Sequence, residues 1–169
     1  MVTQLRVAGI VKESIVDGPG IRYVVFAQGC KHNCLGCHNP ETHSFDGGNL
    51  VEIDTIYKEI RRNPLLEGVT FSGGEPFEQA AGFVELARKL RENNLSIMIY
   101  TGYTYEQIIS NSGVNPAWGT LLELSDILVD GSFIEAKKDY RLKFKGSDNQ
   151  RIIDLRMTRL DGNVILENM

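Results

Sequence analysis

Cys30, Cys34 and Cys37 fall within eight residues in the spacing C-x3-C-x2-C, and they are the only cysteines in the 169-residue chain. An odd, tightly spaced cluster of this kind reads as a metal site and not as a disulfide framework. Soft thiolates converging from one short loop suit an iron–sulfur cluster. Three of them fall short of the usual four ligands, so a [4Fe–4S] cube held here keeps one iron without a protein ligand, free to bind a second molecule. On that ground the chain reads as an enzyme and not as a passive electron carrier. The fold must then deliver this loop from a rigid element, and the β-branched and aromatic run at 21–28 leads directly into it.

Other chemistries use the same residues. Cys34-Leu35-Gly36-Cys37-His38 matches C-x-x-C-H, the attachment sequence of c-type haem, but that reading leaves Cys30 unexplained. Zinc with His32 or His38 as fourth ligand is a further alternative. His32, His38 and His43 also read simply as polar loop residues.

Hydrophobic residues make up 42% and charged residues 24% of the chain, as expected of one globular domain spanning 1–169. The net charge of −4 argues against a general nucleic-acid binder. The charge is uneven: eight Lys and Arg face three acids between Lys137 and Arg159, about +5, leaving about −9 elsewhere. That stretch reads as a solvated face or as a docking surface for an acidic partner or anionic ligand. No opening segment resembles an export signal and no apolar run approaches the ~20 residues of a membrane span. A cytoplasmic location, with no membrane partner, is the expectation.

Further along, apolar spacing predicts helices over 52–62 and 78–92, and strands at Val69–Ser72, Ser96–Tyr100 and Asp126–Val129. Thr104-x-x-Gln107 has the form of a capping box, Trp118 to Leu124 reads as a helix, and 151–155 as a last strand. Strands alternating with helices predict an α/β fold with a mainly parallel sheet. The length is short of the ~250 residues of a closed eight-stranded barrel, so a partial, open βα barrel is expected. Its working residues should gather at the carboxyl ends of strands, where the cysteines, Gly73-Gly74-Glu75, Thr101-Gly102 and Asp130-Gly131 fall.

Ser72-Gly73-Gly74-Glu75-Pro76 closes a predicted strand. Two glycines let a ligand lie against bare backbone, and Glu75 has the charge to receive an ammonium group. With C-x3-C-x2-C upstream, this pair of motifs resembles the radical S-adenosylmethionine (SAM) enzymes. Asp17-Gly18-Pro19-Gly20-Ile21-Arg22 before the cysteines and Cys37-His38-Asn39-Pro40-Glu41 after them resemble the glycyl-radical-enzyme activases within that group. The short length, Val129-Asp130-Gly131 and the tail Ser147-Asp148-Asn149-Gln150-Arg151 are similar to the activases serving anaerobic ribonucleoside-triphosphate reductase; those serving pyruvate formate-lyase share the first motifs but are usually longer. The likeness runs from about Gly9 to Leu155.

The resemblance implies a radical SAM fold with two cofactors, a [4Fe–4S] cluster and S-adenosyl-L-methionine. By it, Cys30, Cys34 and Cys37 hold the metal, while Gly36, Cys37 and His38 lie along the adenine. Ser72, Gly73, Gly74 and Glu75 receive the methionine amino group, and Tyr100, Thr101 and Asp130 line the remainder; Asp130 reads equally as a cap of a helix or turn. No catalytic side chain is implied beyond these ligands. The implied partners are the large subunit of an anaerobic ribonucleoside-triphosphate reductase, through its glycyl-radical loop, and a low-potential electron donor such as flavodoxin or ferredoxin. Asp17–Gly20 borders the entry path for that loop, with Arg22 paired to Asp17 or to partner backbone. One local departure is Gly36, where many radical SAM enzymes carry an aromatic residue.

Overall fold

The computed structural model describes residues 1–37 and 40–167. In chain order it comprises β1 (Gln4–Ser14), β2 (Arg22–Ala27), β3 (Asn49–Glu52), α1 (Ile53–Arg61), β4 (Gly68–Gly73), α2 (Ala80–Arg91), β5 (Ser96–Tyr100), α3 (Tyr105–Asn111), α4 (Pro116–Glu123), β6 (Ile127–Asp130), β7 (Arg151–Asp154) and α5 (Leu155–Asp161). All seven strands form one sheet in the order β3-β1-β2-β4-β5-β6-β7, with β3 and β7 at its edges, so the sheet is open.

The expected parallel sheet is its centre: β2, β4, β5 and β6 run parallel. Both margins are antiparallel, for a connectivity reason. β1 reaches β2 through the short loop 15–21, and β6 reaches β7 through 131–150, which holds only a 3-10 turn at Glu135–Lys137. Neither connection contains a crossover helix, so each strand returns alongside its neighbour in the opposite sense. The second loop therefore leaves and re-enters at the same end of the sheet, Asp130 opposite Arg151, and arches over the carboxyl ends of the parallel strands.

Side chains alternate between the two faces of the sheet. Val69, Phe71, Ile97, Ile99 and Leu128 join Ile56, Phe83, Leu86, Leu90 and Leu121 of the helices in one large core. Met98, Ile127, Val129 and Ile152 point the other way and form a smaller cluster with Tyr100 and Phe144. That second face carries loops in place of helices, which leaves room for a site.

Arg22 fastens one of those loops. Its guanidinium is 1% exposed and donates to Thr70 Oγ1 at 2.8 Å and to the carbonyls of Pro19, Val69 and Ser96 at 3.0 Å each. Burial lowers its pKa to about 10. Thr70 Oγ1 in turn donates to the Asp17 carbonyl at 2.7 Å, so the Asp17–Gly20 turn is pinned to β4. The Asp17 carboxylate accepts from Ser14 Oγ at 2.6 Å; Arg22 bonds to main chain and to the hydroxyls of Thr70 and Ser96 instead of to that carboxylate.

Candidate active site

The cysteine loop begins where β2 ends. Gly29, at φ +109°, turns the chain out of the sheet, and its N–H donates to the Thr42 carbonyl at 2.7 Å while that of Cys30 donates to the His43 carbonyl at 3.1 Å. Neighbouring β4 ends at Gly73, and Gly74 follows it. The Gly74 N–H donates to the Ala27 carbonyl and the Glu75 N–H to the Gly29 carbonyl, both at 2.8 Å. Loop and glycine turn are thus stitched together by main chain. A Cβ on Gly73 (φ +94°) would sit 2.5 Å from the Ala27 nitrogen, and one on Gly74 would sit 2.5 Å from the Gly29 oxygen. These glycines allow two backbones to touch before any ligand is considered. Gly73→Ala is expected to lose about 1–3 kcal/mol to the left-handed backbone alone, with the clash adding to it; urea unfolding measures the loss.

Glu75 is completely buried. Its carboxylate accepts from Thr101 Oγ1 at 2.8 Å, from the Gly102 N–H at 2.8 Å and from the Phe77 N–H at 3.1 Å. His32 Nε2 lies 2.7 Å from Glu75 Oε1, the ring N–H donating because a carboxylate only accepts. His32 also stands edge-on to Tyr103 at 4.5 Å, and Tyr103 packs on Trp118 at 4.8 Å. A loop histidine is thereby anchored to the end of β5 through one buried carboxylate. Nothing in its sequence position marks His32 for this role.

A cavity of about 710 Å³ opens at the carboxyl ends of the parallel strands. Cys30, Cys34 and Cys37 line it, with Ser72, Gly73 and Gly74 from β4 and the turn after it, and Tyr100 and Thr101 from the end of β5. Asp17 and Val16 enter from the pinned turn, and Tyr140, Phe144, Lys145 and Gln150 from the arching loop. Phe144, Lys145 and Gln150 fall in the stretch from Lys143 to Arg151, which from sequence reads as seated over the cofactor or against the partner; Tyr140 and Phe26 were not foreseen. Burial, then the charge of Asp17, raises the Tyr100 hydroxyl above its usual range.

Three expected contributors stand elsewhere. Glu75 lies behind the wall, its oxygens turned to protein donors. Asp130 is 1% exposed; it accepts from the Tyr105 N–H at 2.8 Å and from Arg151 Nε at 3.0 Å, which is the capping alternative. Gly36 is exposed with φ +74° and packs against Glu135. His38 lies outside the described residues. The basic stretch forms no single face: Arg151 also reaches Glu106 at 2.6 Å, Arg141 is tied to Asp139, Arg159 bonds the Leu122 and Ser125 carbonyls, and Lys145 faces the cavity.

The donor set fits an iron–sulfur cluster. No disulfide joins any of the three cysteines, and all three line one cavity. Burial pushes the Cys30 thiol up to about 11, with the charges of Glu75, Cys34 and Cys37 adding to the rise and a backbone hydrogen bond from His32 opposing it. Converging negative charge of this kind is relieved by bound iron, which competes with the protons. Among the described residues no three His, Cys, Asp or Glu side chains close on a single ion, and none supplies a fourth thiolate.

The sequence family described as "4Fe-4S single cluster domain" matches residues 16–153. The anaerobic ribonucleoside-triphosphate reductase-activating protein of Escherichia coli K12 is 31% identical over 150 residues, covering 84% of this chain and 94% of that protein. Its counterpart in Vibrio cholerae is 32% identical over 146 residues, 82% and 90% of the two chains. The pyruvate formate-lyase-activating enzyme of Clostridium pasteurianum is 35% identical over 135 residues, 75% of this chain but 55% of that enzyme. With its three cysteines lining one cavity and this likeness along most of its length, the chain belongs to the 4Fe-4S single-cluster family of glycyl-radical-enzyme activating proteins.

Proposed function

We propose that this protein activates an anaerobic ribonucleoside-triphosphate reductase by installing a glycyl radical on the reductase's large subunit. The observation that carries the reading is the single cavity lined by Cys30, Cys34, Cys37 and the Gly73-Gly74 turn. The near full-length match to reductase-activating proteins, against about half of the longer lyase activase, favours the reductase as partner. Cys30, Cys34 and Cys37 hold the cluster, and Ser72, Gly73, Gly74, Tyr100 and Thr101 seat SAM. When bound, and with one electron from an external donor, the cluster and SAM would supply one-electron chemistry able to take hydrogen from a glycine Cα, methionine being released.

The protein's own part is to bind, orient and exclude water. About 710 Å³ is within the ~300–1,000 Å³ typical of small-molecule sites. Glu75 positions: it couples the cysteine loop, through His32, to the β5 end, through Thr101 and Gly102. The arching loop and the Asp17–Gly20 turn flank the cavity, so a glycyl loop would enter between them. The open sheet, with four parallel strands carrying the site at their carboxyl ends, supports a partial βα barrel of the radical SAM type formed by a single domain. Flavodoxin or ferredoxin is the expected electron donor and the cytoplasm the expected compartment; no helix is long and apolar enough to cross a membrane among the described residues.

The test mixes reconstituted protein, SAM, reductant and the reductase under anaerobic conditions. An oxygen-sensitive glycyl-radical EPR signal on the reductase is expected. Its absence with a fully loaded cluster contradicts the reading, and a signal on pyruvate formate-lyase alone reassigns the partner.

A further inference from the structure

We infer that the groove between Leu35 of the cysteine loop and residues 133–136 of the arching loop is the docking surface for the electron donor, an acidic one-electron carrier protein. The inference rests on the cluster assignment above and goes beyond it by naming the face through which the electron arrives. In that step the carrier is oxidised by one electron and the cluster reduced from [4Fe–4S]²⁺ to [4Fe–4S]⁺, with no bond formed or broken.

Leu35, Phe133, Ile134, Glu135 and Ala136 line a groove of about 520 Å³. Gly36 lets the two loops meet: a Cβ there would lie 2.9 Å from the Glu135 carboxyl carbon. Leu35 is 79% and Ile134 41% exposed, and neighbouring exposed apolar side chains rimmed by charge are the pattern of an interaction site. Cys34 and Cys37 line the cavity, but Leu35 between them does not; it presents the other side of the same loop. Successive Cα atoms are ~3.8 Å apart, so a protein seated on Leu35 stands one residue from one expected iron ligand and two from another. A glycyl loop filling the cavity excludes water there and leaves this outer side to the carrier.

Size and charge select the occupant. Five residues line the groove, against the ~20–30 a side of a stable complex, which is too few for a lasting dimer; electron-transfer encounters form the small, weak class of interfaces. The arching loop, 131–150, holds five Lys and Arg against three acids, a balance of +2 that leaves −6 for the rest of the chain. An acidic carrier is therefore repelled by most of the surface and drawn to this loop. Lys137 and Lys138 directly follow the groove and are exposed. The lysine ion pairs among the described residues use Lys12, Lys31, Lys58 and Lys89 instead, and the Lys138 ammonium lies over the Tyr140 ring at 4.6 Å. The one acid of the groove, Glu135, packs against Gly36.

The test is anaerobic stopped-flow reduction of the reconstituted protein by reduced flavodoxin, by reduced ferredoxin and by photoreduced 5-deazariboflavin, a small neutral reductant that needs no docking surface. Leu35→Glu, and Lys137→Glu with Lys138→Glu, should each slow the two protein carriers about tenfold to a hundredfold at low salt, within the range of electrostatic steering. The effect of the lysine pair should vanish near 1 M salt, where the screening length is ~3 Å, and Lys137→Arg with Lys138→Arg should keep the wild-type rate. The deazaflavin rate and SAM affinity should stay unchanged throughout. Undiminished carrier rates in both charge variants overturn the assignment, as does equal slowing with deazaflavin, which marks damage to the cysteine loop. Glycyl-radical formation lost after deazaflavin reduction gives the groove to the reductase and also overturns it. Wild type that deazaflavin reduces but neither carrier does overturns the choice of occupant. Wild type that assembles no cluster removes the cofactor reading itself, a result distinct from all of these.

Discussion

Cys34→Ala protein is expected to fold, to hold no stable [4Fe–4S] cluster, and to form no glycyl radical on its partner. The activity loss should be complete, because two thiolates cannot retain a cube that three hold without a fourth. The stability loss should be small. Cys34 is a half-buried loop residue outside both hydrophobic clusters, and its one recorded backbone contact, the carbonyl accepting from the Cys37 N–H at 3.2 Å, survives the substitution. Away from core and buried polar groups, such changes cost within about 0.5 kcal/mol. Iron and sulfide content with visible absorption reads the first effect, and thermal unfolding of the apo protein reads the second. A variant that still cleaved SAM would show the ligand assignment to be wrong.

Glu75→Ala should behave in the opposite way, failing first in stability. Four donors, from Thr101, Gly102, Phe77 and His32, converge on this carboxylate in a fully buried position. Removing it strands them all, at about 3–5 kcal/mol for a broken buried network. At ~2–4 °C per kcal/mol for a chain of this size, the apo protein should melt roughly 6–20 °C lower. Glu75→Gln preserves the shape but turns one acceptor into a donor facing donors, and should cost about 1–3 kcal/mol. Were Glu75 only a ligand for the methionine amino group, both variants would melt like wild type and lose SAM binding alone. Differential scanning calorimetry of the apo proteins separates the two accounts.

That contrast marks how far the sequence could be read. The cysteine triplet, the glycine turn and the β5 end were legible because motif spacing and strand ends are local, and in a parallel sheet the strand ends must meet. The central strands and the helices α1, α2 and α4 were legible because their apolar period is sustained. Strand β1 was not: Gly9 interrupts its pattern, and most of its residues stay partly or fully exposed. Strand β3 has four residues, three of them exposed, and exists through its pairing with β1. Helix α5 buries only Leu155 and Thr158; its local signals were its caps, Asp154, whose side chain accepts from the Met157 N–H at 2.9 Å, and Gly162 at φ +88°. The directions in which Glu75, Asp130 and His32 point depend on which donors the fold brings to them. An acid at the end of a strand looks the same in sequence whether it faces a ligand or caps a helix, and Asp130 bonded to Tyr105 and Arg151 is the second case.

The most direct test of the central claim, that three thiolates hold a cluster whose fourth iron takes SAM, is anaerobic EPR spectroscopy of the reconstituted, dithionite-reduced protein before and after SAM is added. The account predicts a [4Fe–4S]⁺ signal whose shape changes with SAM, together with release of 5′-deoxyadenosine. A signal indifferent to SAM, or a protein that takes up zinc in place of iron, would contradict it and return the chain to the carriers or structural metal proteins.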